Sequence, residues 1–380
     1  MNGFQRVGAT GSRRRLTVAA SALAAFLALQ AAPRTAASPA PGKALQIYFV
    51  DVEGGQATLF VTPERKSLLI DTGWDGFNGR DADRIVAAAK QAGISKIDFV
   101  LLTHYHEDHT GGVPQLVARI PVGAFIDHGP NREAANSTTG KMFEAYQEVL
   151  AKGKYQHILA KPGLDLPIPG IAAKVVSADG AVLENALPGA GEANPVCSTT
   201  PAETPAPSEN TRSIGVIFSF GKLRILDLGD LTADKERELM CPVNKLGTVD
   251  LLVVSHHGSL TSNDPVLLDG IAPRVAIMDN GETKGGAPSS WEHVEKSPRL
   301  VNLWQLHYSK EGGAAHNVAE EYIANPAGVP DAGHYLKVTA FSDGGMDVFN
   351  SRTNSTKDYR PAATGTQKAA SSKGRNSGGR

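Results

Sequence analysis

The sequence predicts an α/β layered sandwich, and three observations carry that expectation. Short β-branched runs outnumber helical stretches, yet helices fall between them, the mixture that layers helices on sheets. The 380 residues include 40 Gly and 23 Pro but only 6% aromatics, a turn-rich composition unlike that of a helical bundle. Two continuous apolar runs end abruptly in histidines, the pattern of buried strands delivering polar groups at their tips. With 41% hydrophobic and 20% charged residues the chain is globular rather than disordered. Its 38 Lys+Arg against 39 Asp+Glu leave a net charge of -1, which excludes a protein that holds nucleic acid by bulk charge alone.

The elements follow in order. Arg13, Arg14 and Arg15 precede an apolar run from Leu16 to Ala32, then Pro33 and Ala36-Ala37-Ser38. Residues 1–38 therefore read as an export signal peptide, Ser12-Arg13-Arg14 also permitting a twin-arginine route. The rival reading, a membrane anchor, needs roughly 20 strongly apolar positions. A periplasmic or extracellular enzyme with no stable membrane span in its mature form is expected. Residues 45–52, 57–61 and 67–70 read as consecutive antiparallel strands split by Gly54-Gly55 and Pro63. Residues 81–93 read as a helix stopped by Gly93, and 97–102 as a buried strand. Hairpin strands at 214–220 and 223–228 turn around Gly221, a helix covers 233–240, buried strands cover 249–255 and 275–278, and 335–341 with 346–350 close the domain as a hairpin. The folded domain is bounded at 39–360. A low-complexity surface insertion near 190–210, with the run CSTTPAETPAPS, interrupts it. Residues 361–380, with Lys368, Lys373, Arg375 and Arg380 and no large apolar residue, read as a disordered tail. Cys197 and Cys241 would pair in an oxidising compartment if the insertion folds back on the end of the 233–240 helix. Trp291, Trp304 and His307 are read as packing between the sandwich and its last helix.

Thr103-His104-Tyr105-His106-Glu107-Asp108-His109 follows directly on a buried strand. Residues two apart in extended backbone point the same way, so His104 and His106 can present two imidazoles to one ion, and Asp108 and His109 add a carboxylate and a third imidazole after the chain turns. A core histidine does not explain such density. Leu228-Gly229-Asp230 ends another strand, where Asp230 could bridge two cations or simply cap the following helix. Ser255-His256-His257-Gly258 repeats the logic, offering a ligand and a neighbour. Lys284 lies in a glycine-rich loop after the 275–278 strand and is a candidate contact for a substrate anion, or a solvated loop lysine.

Asp71 in Leu-Ile-Asp-Thr-Gly, His104/His106/Asp108/His109, Asp230 and His256 together resemble the ordered motifs of the metallo-β-lactamase-fold hydrolases. Within them, Asp51-Val52-Glu53-Gly54-Gly55-Gln56-Ala57, Leu228-Gly229-Asp230 and Val254-Ser255-His256-His257-Gly258-Ser259 look most like the hydrolase domain of the bacterial DNA-uptake competence channel proteins. The resemblance runs from about Leu45 to Asn350. It departs at Gln56, where the competence pattern has Asp, and no channel-forming segments follow. The family's additional histidine lacks a clean match. His128, at a strand end, is the nearest candidate for a metal or substrate contact, and Asp179 ranks behind it.

The resemblance implies a four-layer αββα sandwich with two Zn(2+) ions at one edge. Manganese or iron also suits imidazole and carboxylate ligands. The implied metal ligands are His104, His106, Asp108, His109, Asp230 and His256. Asp71 would fix a ligand imidazole by hydrogen bonding. Two such cations would share a water and lower its pKa toward about 7. Asp108 and His257 are the expected catalytic side chains, His257 or a metal-bound water protonating the leaving group. A phosphodiester is the expected substrate, a β-lactam or lactone the alternative, and a non-catalytic binding protein that keeps the fold the rival class. Nucleic acid would need a local basic rim, for which Arg132, Lys284 and the tail are the candidates. The sequence leaves the oligomeric state open.

Overall fold

The computed structural model describes residues 43–198, 208–328 and 331–362, all within the unit Pro39–Arg380. The expected signal peptide, the centre of the insertion and nearly all of the expected tail lie outside the described residues. In chain order the elements are β1 (Leu45–Phe49), β2 (Thr58–Val61), β3 (Ser67–Ile70), α1 (Arg80–Gln91), β4 (Ile97–Leu101), α2 (Glu107–Thr110), α3 (Val113–Val117), β5 (Val122–Asp127), α4 (Thr138–Lys152), β6 (Gln156–Leu159), β7 (Ala172–Ala178) and β8 (Ala181–Val182). There follow β9 (Gly215–Phe220), β10 (Leu223–Asp227), α5 (Ala233–Met240), β11 (Leu251–Val253), α6 (Pro265–Ile271), β12 (Val275–Met278), α7 (Pro288–Glu295), β13 (Asn302–His307), β14 (Ile323–Asn325), β15 (Leu336–Ala340), β16 (Met346–Asn350) and β17 (Ser355–Tyr359).

Strand alternation makes the layers. Ile47 and Phe49 of β1 pack with Val216 and Phe218 of β9 between two sheets, while Tyr48 of the same strand faces Ile85 and Ala89 of α1. On the far side, Leu226 and Leu252 lie against Leu239, Leu267 and Val294 of α5, α6 and α7. The result is the four-layer αββα sandwich. One sheet has the order β17-β16-β15-β1-β2-β3-β4-β5-β6, the other β14-β13-β12-β11-β10-β9-β7-β8. α1 shows why these residues choose their element: Ala82, Ile85, Ala88 and Ala89 form one buried stripe, Asp81 and Asp83 occupy its first turn, and Gly93 at φ 70° ends it. Trp304 and His307, expected to pack between the sandwich and its last helix, lie on β13. Trp304 there is buried and its Nε1 donates to Tyr359 Oη at 2.9 Å, whereas His307 Nε2 lies 2.6 Å from Asp51 Oδ1.

Topology then places the chemistry. β3, β4 and β5 run parallel, as do β10, β11 and β12 in the other sheet, so each set presents its carboxyl-terminal ends along one edge. Asp71, the 104–109 motif, Asp230, His256-His257 and Asp279 all follow such ends. Backbone bonds lock the edge: Ile214 N donates to Thr103 O at 2.9 Å across the sheets, and His256 N to Gly229 O at 3.0 Å. Cys197 and Cys241 are disulfide-bonded, tying the start of the insertion to the end of α5. Among the described residues no helix is long and apolar enough to cross a membrane.

Candidate metal centre

Two groups of potential ligands share Asp230. Asp108, His109, Asp230 and His257 bring ligand atoms within 4.8 Å of one another, and His104, His106 and Asp230 do the same. His109 Nε2 lies 3.1 Å from Asp108 Oδ2 and 3.2 Å from Asp230 Oδ2, and His257 Nε2 lies 3.2 Å from Asp108 Oδ2 and 3.4 Å from Asp230 Oδ1. His104 Nε2 and His106 Nδ1 stand 3.0 Å apart, and His104 Nε2 is 3.8 Å from Asp230 Oδ2. Asp230 Oδ1 is buried and makes no hydrogen bond, a cost that a cation would remove. Imidazole nitrogens and carboxylate oxygens converging without thiolate fit Zn(2+) or a similar divalent ion.

Each ligand imidazole is held from behind, which fixes the nitrogen it turns to the centre. His109 Nδ1 lies 2.7 Å from Asp71 Oδ2, and Asp71 in turn accepts from Thr103 N and Oγ1 at 2.8 and 2.7 Å. His257 Nδ1 lies 3.3 Å from Asp279 Oδ1, His106 Nε2 lies 3.1 Å from Glu133 Oε1, and His104 Nδ1 lies 3.1 Å from Thr103 Oγ1. Charge follows the same geometry. Burial opposes ionisation of Asp108 and Asp230, yet His109, with Lys284 at Asp108 and His256 at Asp230, holds both carboxylates well below their ordinary range. Burial likewise opposes a charge on His257, but Asp230 and Asp279 push it up to about 9. His104, buried among His109 and His106, is held well below the usual imidazole value.

The backbone explains several sequence choices. A Cβ on Gly55 would lie 2.3 Å from Asp108 O, so only glycine lets the opening loop seat α2, where Gln56 N donates to Asp108 O at 3.2 Å. Gln56, in place of the competence-type Asp, donates through Nε2 to Asp227 Oδ2 at 2.7 Å beneath the site.

Not every expected residue goes where the sequence placed it. His256 was expected as a ligand and His257 as the proton donor; the structure gathers His257 into the four-residue cluster and leaves His256 at the mouth. Both have left-handed φ, 55° and 54°, so the turn throws neighbouring side chains apart. His256 Nε2 is 3.3 Å from Asp230 Oδ2 and its Nδ1 is 3.0 Å from Thr261 Oγ1. It lines a cavity of about 100 Å³ with Ser259, Leu260 and Lys284. Lys284 reaches Asp108 Oδ2. His128 stays out of both clusters, buried with Nε2 3.0 Å from Glu209 Oε2 and its ring 4.6 Å from that of Tyr105. Asp179 is ion-paired with Arg132 and Arg212 at 2.6 and 2.8 Å. Sequence reasoning missed Glu133, which sits in an irregular segment without pattern, and Asp279. The latter was legible, since it follows a buried strand as Asp230 does.

Residues 50–195 match the metallo-beta-lactamase superfamily model, so the chain carries a domain of that superfamily. Recombination protein 2 of Haemophilus influenzae is 26% identical over 256 residues, 67% of this chain and 26% of that protein. Competence protein ComA of Neisseria gonorrhoeae is 25% identical over 230 residues, 60% of this chain and 26% of that one. A hydroxyacylglutathione hydrolase of Stenotrophomonas maltophilia is 40% identical over 83 residues, 22% of this chain and 31% of the enzyme. The chain thus spans a minor part of the length of these relatives. Among solved structures, the metallo-beta-lactamase fold protein YhfI from Bacillus subtilis aligns with 69% of this chain and 96% of its own at 13% identity, with a TM-score of 0.41.

Proposed function

We propose that this chain, built on a metallo-β-lactamase superfamily domain, is an exported two-zinc hydrolase that cleaves a phosphodiester. The observation that carries the reading is the convergence of four histidines and Asp108 on Asp230, each of these imidazoles held by an outer oxygen. His104, His106 and Asp230 would hold one cation, and Asp108, His109, Asp230 and His257 the other. When bound, the pair supplies an acidified water and polarises the electrophilic centre. The chain's own residues do the rest. Asp71, Glu133 and Asp279 keep the imidazoles oriented. His256, on the wall of the cavity, is the imidazole placed to protonate a departing oxygen, whereas His257 is turned inward to His109. A non-catalytic role would not need so complete a ligand set.

The phosphodiester is favoured because the two competence and recombination relatives align along most of this chain, whereas the hydroxyacylglutathione hydrolase aligns over about a fifth of it. Arg132 is already ion-paired with Asp179, so the rim offers little basic surface, which favours a small or single-stranded phosphodiester over duplex DNA. Leu260, 67% exposed at the mouth, supports a second reading, an acyl substrate such as a lactone or β-lactam with an apolar group. Zinc-loaded protein assayed in parallel on bis-p-nitrophenyl phosphate, single-stranded DNA, a chromogenic cephalosporin and an acyl-homoserine lactone decides between them. Phosphodiester cleavage lost in Asp108→Ala is the expected result. Cleavage of the cephalosporin or lactone alone overturns the substrate, and turnover of none of the four counts against the enzyme.

A further inference from the structure

One cation of the centre belongs to the chain itself. The Lys284 ammonium sits on Asp108 Oδ2, the oxygen that also faces His109 Nε2 and His257 Nε2. Its loop is tied to the site: Gly281 N donates to Lys284 O at 2.8 Å, and Gly286 N donates to His257 O at 2.8 Å. Gly54 packs so close that a Cβ would lie 2.8 Å from Gly281 N and 3.0 Å from Lys284 Cβ. The Lys284 Nζ lies 4.8 Å from the Trp74 ring centroid, and its side chain keeps 33% exposure, so it can also turn to solvent.

We infer that Lys284 competes with the second cation for Asp108, so that the two metal positions fill unequally. The inference rests on the two-cation reading above. An ammonium has three donors and no acceptor, and here it takes up the same carboxylate oxygen, Asp108 Oδ2, that a cation between His109 and His257 would use. Two like charges on one partly desolvated carboxylate repel. Among the described residues no lysine pairs with His104, His106 or Asp230, so that position fills first. The Asp108–His109–Asp230–His257 position fills once Lys284 has left. Displaced, Lys284 remains on the wall of the cavity beside His256, where an anionic substrate group is its partner. An anion at the mouth and the second cation therefore favour each other's binding, and reciprocally so.

The test is zinc titration of the metal-free full chain against a chromophoric chelator, in wild type, Lys284→Met and Lys284→Arg. Wild type is expected to bind one zinc tightly and a second at least about tenfold more weakly. Lys284→Met should leave the first unchanged and tighten the second about tenfold or more, while Lys284→Arg, which keeps the charge, should resemble wild type. Millimolar dimethyl phosphate should strengthen the second site more in wild type than in Lys284→Met. An unchanged or weakened second site in folded Lys284→Met and in Lys284→Gln overturns the inference. Wild type that binds no zinc at all sinks the two-cation reading instead.

Discussion

His256 and His257 are neighbours in sequence with φ of 55° and 54°, yet one ring faces the cavity and the other is sealed against His109. Removing them should therefore have different signatures. His257→Ala should bind one zinc equivalent instead of two, because it deletes an inward nitrogen held by Asp279. His256→Ala should keep both equivalents and lower kcat by about 100-fold or more, the contribution of a positioned proton donor. Metal analysis beside steady-state kinetics checks both, and equal zinc loss in the two variants would show the assignment to be wrong. The sequence made this pair visible as a functional dipeptide but not its order. Which of two adjacent side chains turns inward depends on backbone angles that the residue types leave open.

Strand and turn geometry sets what single elements tolerate. Gly55→Ala would drive a methyl into Asp108 O and displace α2 as a unit. A shift of about 1 Å at a ligand costs on the order of 100-fold in kcat/KM; kinetics beside a melting curve should show activity falling far more than stability. The edge hairpin carries a different liability. Asp347 on β16 stands opposite Asp358 on β17, and burial, then that like charge, raises its carboxyl from 3.8 to about 6. The folded value exceeds the unfolded one, so the ionised form is disfavoured by the fold. That penalty is absent below about pH 4, grows as pH rises through the window to about 6 and persists above it. Asp347→Asn should accordingly raise the melting temperature by about 2 °C at pH 8, discounted for partial exposure, and leave it unchanged at pH 4. Elements with strong patterns were readable in advance: β1 to β4, α1, β9 to β12 and the β15–β16 hairpin lie close to their expected spans. α4, β7 and β13 were not, since their apolar positions are too few or too interrupted to declare a period.

At the scale of the whole molecule, the ordered motifs are spread from Asp71 to Asp279, and they meet because two sets of parallel strands end at one edge. Most of the residues that gather at this edge, His104, His106, Asp108, His109 and Asp230, were legible because unusual polar residues concentrate at strand ends. Glu133 was not, because it reaches His106 from an irregular stretch whose position only tertiary packing determines. The Cys197–Cys241 bond also belongs to this scale, joining positions 44 residues apart that strand and helix packing have already brought together. Closing a loop of that length restricts the unfolded chain by about 4 kcal/mol in the chain-entropy account. The bond lies beside α5, on the helical face behind β10 and away from the nitrogens that face Asp230. Cys197→Ala/Cys241→Ala should therefore lower the melting temperature by about 6 °C while zinc stoichiometry and kcat stay at wild-type levels. Differential scanning calorimetry with metal analysis on the same preparations measures both, and loss of zinc at unchanged melting temperature would mean that the insertion, not the sandwich edge, holds the centre together.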